Sequence, residues 1–371
     1  MRTNERLLRW AIACVLLATL APLPRPHAQA PAFHAPRGAL RSLHAALRRG
    51  HARLAFYGAS HTAADGYTHT IRTRLQARFG DGGPGLVSVA VPFPFHRQST
   101  VRTARSTLVG TRIFGRDRRR DDYGPAGFFL EAPAAAEARI DTAEGVRFSR
   151  AKLLFRGAAP TMRIDGANAD VRDWVEVADG PHRVELEVPA GTRIDGLVLE
   201  RERGVVVDAL GVPGARAADQ ELWRTRTLDT TLHERPLDLF ALAYGTNESA
   251  NARPPLETYR EKLRATIAAW KRRAPRASCL LVGPGDWPTR RRDRSFGPRP
   301  RLQALVEAQR EEARAAGCAF FDTFAFMGGE GSMVRWVAEG LGDSDHVHFT
   351  PEGHERVGAA IADALIAGVS P

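Results

Sequence analysis

A hydroxyl, an imidazole and a carboxylate suffice to move an acyl group, and this chain of 371 residues offers all three beside turn-forming residues. Ser60 lies in the stretch YGASHTAADGYT, directly after the apolar run Leu54-Ala55-Phe56. A serine hydroxyl is a weak nucleophile and needs a base, most often an imidazole, to take its proton. His348 is the candidate base, and Asp345, three residues earlier in the turn DSDHVH, can hold one nitrogen of that ring and stabilise its charged form. A developing oxyanion requires preorganised donors. The Ser60 amide at the start of a helix, the Asn247 side chain in AYGTNE, and the backbone at Gly214 in VPGAR can supply them. Each residue alone has an ordinary role: Ser60 as a helix cap, Asn247 and Gly214 as turn residues, Asp345 as a turn cap and His348 as a loop histidine.

What gives the set meaning is the elements that carry it. Residues 53–79 and 204–367 alternate short apolar runs (RLAFYG, GVVVDALG, LDLFALAYG, SCLLVGP, CAFFDTF) with amphipathic stretches such as LETYREKLRATIAAWKRR and PEGHERVGAAIADALIAG. Five near-continuous apolar strands with helical crossovers predict a five-stranded parallel sheet covered on both faces, a three-layer α/β fold. The blocks holding Ser60, Asn247 and His348 follow strand ends or precede helices, so such a sheet brings them to one edge. Residues 100–203 read differently: VRFSRAKLLFRG, DWVEVADGPHRVELEVPAG and TRIDGLVLERER alternate in period two between Gly, Pro and Asp-Gly turns, the pattern of an antiparallel β-sandwich inserted in the first crossover.

With these residues in place, the sequence resembles the SGNH, or GDSL-type, hydrolases. YGASHTAADG matches the family's first block, LGVPGAR its second, YGTNES its third and DSDHVHFTPEGH its last. The resemblance implies that Ser60 is the nucleophile, that Asp345 and His348 complete the triad, and that Ser60, Gly214 and Asn247 form the oxyanion hole. Gly211 is the other glycine of the second block, and His346 has the wrong spacing and is expected to be exposed. Ala59 departs from the family's Gly-Asp-Ser. With SHTAAD in the first block and a sandwich after it, the chain is similar to bacterial peptidoglycan O-acetylesterases, which implies an acetylated cell-wall glycan as substrate and a carbohydrate-binding-like insertion. The organisation expected is a leader at 1–30, a linker and short helix at 31–50, a catalytic domain in two segments at 51–99 and 204–371, and the insertion at 100–203.

Composition sets the context. Arg2, Arg6 and Arg9, the apolar run AIACVLLATLAPL and the AQA ending at Ala30 form a secretory signal pattern, so a periplasmic or secreted protein without a membrane span in its mature part is expected. The formal charge is +11, and 50 of the 53 basic residues are arginine. Export excludes nucleic acid as the expected partner and leaves anionic envelope polymers within reach of the field. Cys279 and Cys318 admit either a disulfide or two buried thiols. There is no CxxC and no cysteine–histidine ligand spacing, so neither a metal nor an organic cofactor is expected. Acetyl transfer to a polysaccharide and glycan binding without catalysis are the alternatives to hydrolysis. A lipase would need an apolar groove, for which PFPFHRQ at residues 92–98 is the one nearby segment. The run TRRRDRSFGPRPR, residues 289–301, is read as a solvated loop that could also rim the site against an anionic glycan.

Overall fold

The apolar runs of the two α/β segments become neighbouring strands in the structure, a computed structural model that describes residues 32–115, 120–250 and 253–369. The leader read at 1–30 lies outside the described residues. Strand order across the sheet is Phe33–His34, Ala319–Phe321, Ser278–Val282, Leu239–Ala243, His51–Gly58 and Gly204–Gly211. The last five are parallel, as expected, but the sheet has six strands because Phe33–His34 adds antiparallel to Ala319–Phe321. Two residues of a proline-rich stretch carry no periodic signal, so this edge strand was not visible in the sequence.

Both faces of the sheet are covered. Along His51–Gly58, Leu54 and Phe56 enter one apolar cluster and Ala55 and Tyr57 the other, the alternation a strand buried on both sides must show. Helices Arg41–Arg48, Gly66–Phe79 and Pro351–Ile366 contribute to the first cluster; Leu256–Arg273 and Leu302–Ala315 contribute to the second. Phe56 and Phe240 are wholly buried, and side chains of that size each contribute roughly 1.5–3 kcal/mol on burial. Cys279 and Cys318 are bonded to each other, with Cα atoms 4.7 Å apart, which joins the beginnings of two adjacent parallel strands.

Between Gly58 and Gly204 the chain builds two antiparallel sheets of five and six strands. Their inward residues, including Ile140, Leu186 and Met162 from one and Phe148, Leu153 and Leu197 from the other, share one apolar cluster. Gly85–Val87 also pairs here, against Arg193–Glu200, so the antiparallel texture begins earlier than its sequence pattern shows. The described residues pack as a single compact unit.

Candidate active site

The His51–Gly58 strand is where the order of connection reverses: the chain leaves it for the edge strand Gly204–Gly211 on one side and then crosses to Leu239–Ala243 on the other. A crevice at the carboxyl end of such a strand is the usual ligand site of an open α/β sheet. Register makes it tight, for Gly58 is level with both Gly211 and Ala243. Ser60, Gly214 and Asn247 therefore leave the sheet at one height. A side chain at Gly58 would strike Thr62 and the Ala243 carbonyl, and one at Gly211 would stand 2.1 Å from the Ala63 nitrogen. Both glycines let the turn bearing Ser60 settle between its neighbouring strands.

Ser60 opens the one-turn helix Ser60–Ala63 and is half-buried. His348 reaches it across the whole chain, Nε2 to Oγ at 2.8 Å. The other ring nitrogen, Nδ1, donates to Asp345 Oδ2 at 2.6 Å. Because a carboxylate only accepts, the proton sits on Nδ1 and Nε2 is free to accept from the serine hydroxyl. Asp345 Oδ1 also accepts from the backbone N–H of Val347 and of His348, at 2.8 and 2.9 Å. Burial alone would raise the Asp345 carboxyl, but the His348 ring and these two amides hold it below the usual carboxylate range. Its ionised form is thus locked under the imidazole.

Asn247 lies in the single turn Thr246–Ser249, after Gly245 at φ +126°. Its Nδ2 donates to the Ala215 carbonyl at 3.0 Å, and an amide nitrogen has a second hydrogen left to offer. The partner residue follows Gly214, whose φ of +83° explains glycine there and whose missing side chain admits the ring of Phe114. Glu248, not singled out by the sequence reading, ties the two loops together. Its buried carboxylate accepts from Ala217 N at 2.9 Å and Gly245 N at 3.0 Å. Its place beside Asn247 was the signal available.

Residues 190–356 match the GDSL-like lipase/acylhydrolase family, a span that holds Gly214, Asn247, Asp345 and His348. Residues 190–356 thus resemble a GDSL-like lipase/acylhydrolase domain. A GDSL lipase of Mycobacterium tuberculosis is 32% identical over 134 residues, which is 35% of this chain and 52% of that protein, so the chain spans about half the length of the curated relative it matches. The solved structure of a peptidoglycan O-acetylesterase superposes with a TM-score of 0.77 at 24% identity, covering 90% of this chain and 98% of the other. The fold is therefore an SGNH-like α/β fold. The matched span opens just before the last antiparallel strand, Arg193–Glu200, and leaves out Ser60, which the earlier antiparallel strands separate from it by more than a hundred residues.

Two more histidines line this candidate site. His61 Nε2 lies 3.1 Å from the Val347 carbonyl, which can only accept, so that nitrogen donates and fastens the turn of Asp345 and His348 to the helix of Ser60. Burial, with His354 and His348 close by, pushes His61 down to about 3; burial pushes His354 down to about 4. Both rings therefore stay neutral in mild acid. His346 is half-buried rather than exposed: its ring stacks on Phe296 at 4.1 Å, with φ +58°. It points away from the Ser60–His348 relay in bonding terms, its Nδ1 going to the Ser344 carbonyl. Of PFPFHRQ, Phe93 is packed under the Arg112 guanidinium, whereas Phe95 is 74% exposed.

Proposed function

We propose that this chain is an exported serine esterase that removes O-acetyl groups from a cell-envelope polysaccharide, peptidoglycan foremost, through an acyl-enzyme. The observation that carries the reading is the continuous relay from Ser60 Oγ through both ring nitrogens of His348 to Asp345. In the proposed course, His348 Nε2 takes the hydroxyl proton as Oγ attacks the ester carbonyl, and Asp345 stabilises the imidazolium. The Ser60 and Gly214 amides and the free Asn247 hydrogen receive the oxyanion. The imidazolium then protonates the departing sugar oxygen, and a water molecule, deprotonated by His348, releases acetate and restores the serine.

A polymer substrate is supported by the openness of the relay, with the Asp345 and His348 side chains 47% and 43% exposed. The likeness in fold to a peptidoglycan O-acetylesterase and the disulfide, a bond of oxidising compartments, support the wall and export. Residues 100–203 are proposed to be the inserted β-sandwich that holds glycan beside the site. No helix among the described residues is long and apolar enough to cross a membrane. The test is acetate release from acetylated and chemically deacetylated wall preparations: release from the first alone is expected, and none from either refutes the reading.

One observation favours a second reading. Val91, Phe95 and Val109 are the exposed large apolar side chains of the described residues, and Pro92 and Gly110 touch, so two of the three stand together. A longer acyl chain would find apolar surface there. Rates on aryl esters from two to eight carbons decide between the two, a maximum at acetate being expected.

Acidification should lower kcat/KM along a single-proton limb. Protonated His348 cannot accept from Ser60, while His61 and His354, held near 3 and 4, contribute no second step in the mildly acidic range. A two-proton limb there would mean that His61 or His354 takes part in the chemistry.

A further inference from the structure

The segment between the strand Ser278–Val282 and the helix Leu302–Ala315 is a small hairpin, not an unstructured loop. Thr289–Arg290 pairs antiparallel with Phe296–Gly297, and Arg290 stands directly opposite Phe296. The Arg291 N–H donates to the Ser295 carbonyl at 2.8 Å and closes the tip. Arg299 lies over Trp287 at 3.6 Å from the ring centre and donates Nε to its carbonyl, stiffening the base. At that base a side chain on Gly285 would meet Phe349, the neighbour of His348. Higher up, Phe296 stacks on His346, which adjoins Asp345. The hairpin is thus tied through Phe296 to the turn that carries the proposed base and its carboxylate, and the chain leading into it passes close to Phe349.

Its charge is one-sided. Arg290, Arg291, Arg292 and Arg294 are exposed, and none forms an ion pair among the described residues. The one acid of the tip, Asp293, is spent on Ser295, whose amide and hydroxyl both donate to it and hold its carboxyl below the usual range. The acids on the facing turn are also engaged, Asp345 with His348 and Asp343 with Ser344. Side chains directly opposite on paired strands share a face, so Arg290 emerges beside Phe296 and therefore beside His346. A planar guanidinium offers two parallel donors to a carboxylate. Held on a paired hairpin, its backbone needs no ordering when a ligand binds.

We propose that the 289–297 hairpin is a carboxylate-binding subsite, led by Arg290 with Arg292 and Arg294, that selects acidic glycans for the adjoining ester site. The inference rests on the esterase reading for its substrate, and it adds the charge of the glycan to that reading. His346 and Phe296 act as positioning residues, setting the arginines against the turn of His348.

The test compares the intact protein with a triple variant, R290Q/R292Q/R294Q, all at exposed positions. Three substrates are used: a neutral aryl acetate, an acetylated uronic-acid oligosaccharide and an acetylated neutral oligosaccharide of equal length. The expected result is a kcat/KM preference for the acidic oligosaccharide that falls on the order of tenfold in the variant, through KM and with aryl acetate turnover unchanged. Raising salt should erode the same preference in the unmodified protein. An unchanged preference overturns the subsite while leaving the esterase intact. Should aryl acetate not be turned over at all, the esterase reading fails, and calorimetry of the unacetylated acidic and neutral oligosaccharides still decides the subsite. Equal binding of the two, or tighter binding of a single-stranded oligonucleotide that the variant abolishes, overturns it.

Discussion

Replacing Ser60 by alanine is expected to lower kcat on acetyl esters by about four to six orders of magnitude while leaving the fold unchanged. The relay functions as a unit, so removal of the nucleophile or of the base costs about the same and the two losses do not add. His348→Ala should therefore match Ser60→Ala, and the double variant should be no worse than either. Asn247→Ala is a different case, because it removes one donor to the oxyanion and spares the relay; a loss of roughly 10²- to 10³-fold in kcat with little change in KM is expected. Ser60 is half-buried at the start of a one-turn helix, and its hydroxyl bonds to His348, so its loss should move stability by no more than about 0.5 kcal/mol. Rates on an aryl acetate with thermal melts of the same samples check both halves. Turnover surviving in the Ser60 variant would remove the mechanism, and additive losses in the double variant would separate two residues that the geometry joins.

The residues of the site were legible because each block carries its own local punctuation. Gly58, Gly211 and Gly245 mark strand ends, and the near-continuous apolar run before each mark is that of a strand buried on both faces. Convergence of those ends follows once the sheet is parallel, and the level register of Gly58, Gly211 and Ala243 is what converts it into contact. Asp345 and His348 could be paired from spacing alone because three residues of turn bring their side chains together. Ala59 costs the relay nothing visible, since Asp345 is the carboxylate that holds His348 and Ala59 itself is buried in the turn between strands.

What stayed hidden depends on pairs far apart in the chain. His61 to Val347 and Phe296 to His346 are contacts between surface-neutral residue types with no periodicity to betray them. His346 was expected to be exposed because its spacing excludes it from the triad; exclusion from chemistry says nothing about packing. PFPFHRQ, the one apolar segment offered near the first block, divides in the same unforeseen way: Phe95, at φ +68°, is exposed, while Phe93 takes the buried position. The cysteines left two outcomes open, since both types of buried cysteine sit equally well at strand starts, and parallel pairing of their strands is what unites them.

The largest stability effect is expected at Glu200, which sets the seam between the antiparallel strands and the parallel sheet. Its side chain is fully buried at the end of the strand Arg193–Glu200. Arg53 of the strand that leads to Ser60 donates from Nε and Nη2 at 3.1 and 3.0 Å, Arg235 from Nε at 2.9 Å and Nη2 at 2.6 Å, and Arg150 from Nη2 at 3.0 Å. Arg235 also meets Asp208, which accepts the Leu86 amide. Burial by itself would raise the Glu200 carboxyl, but Arg235 and Arg53 take it far below the usual range. Glu200→Ala leaves the Arg53 and Arg235 guanidiniums buried with most of their partners gone, and breaking a buried pair in this way costs about 3–5 kcal/mol. The sign with pH follows from the depressed carboxyl. The stabilisation is complete above the unfolded-state value of about 4.3 and is lost as pH falls below it toward the folded-state value. Urea unfolding should therefore show the full deficit of the variant from pH 6 to 8 and a shrinking deficit below about pH 4, because the intact protein weakens there and the variant has no such carboxyl to protonate. A difference below about 1 kcal/mol at neutral pH, or one that grows on acidification, would mean that the three arginines do not depend on Glu200 and that the seam is held by apolar contact alone.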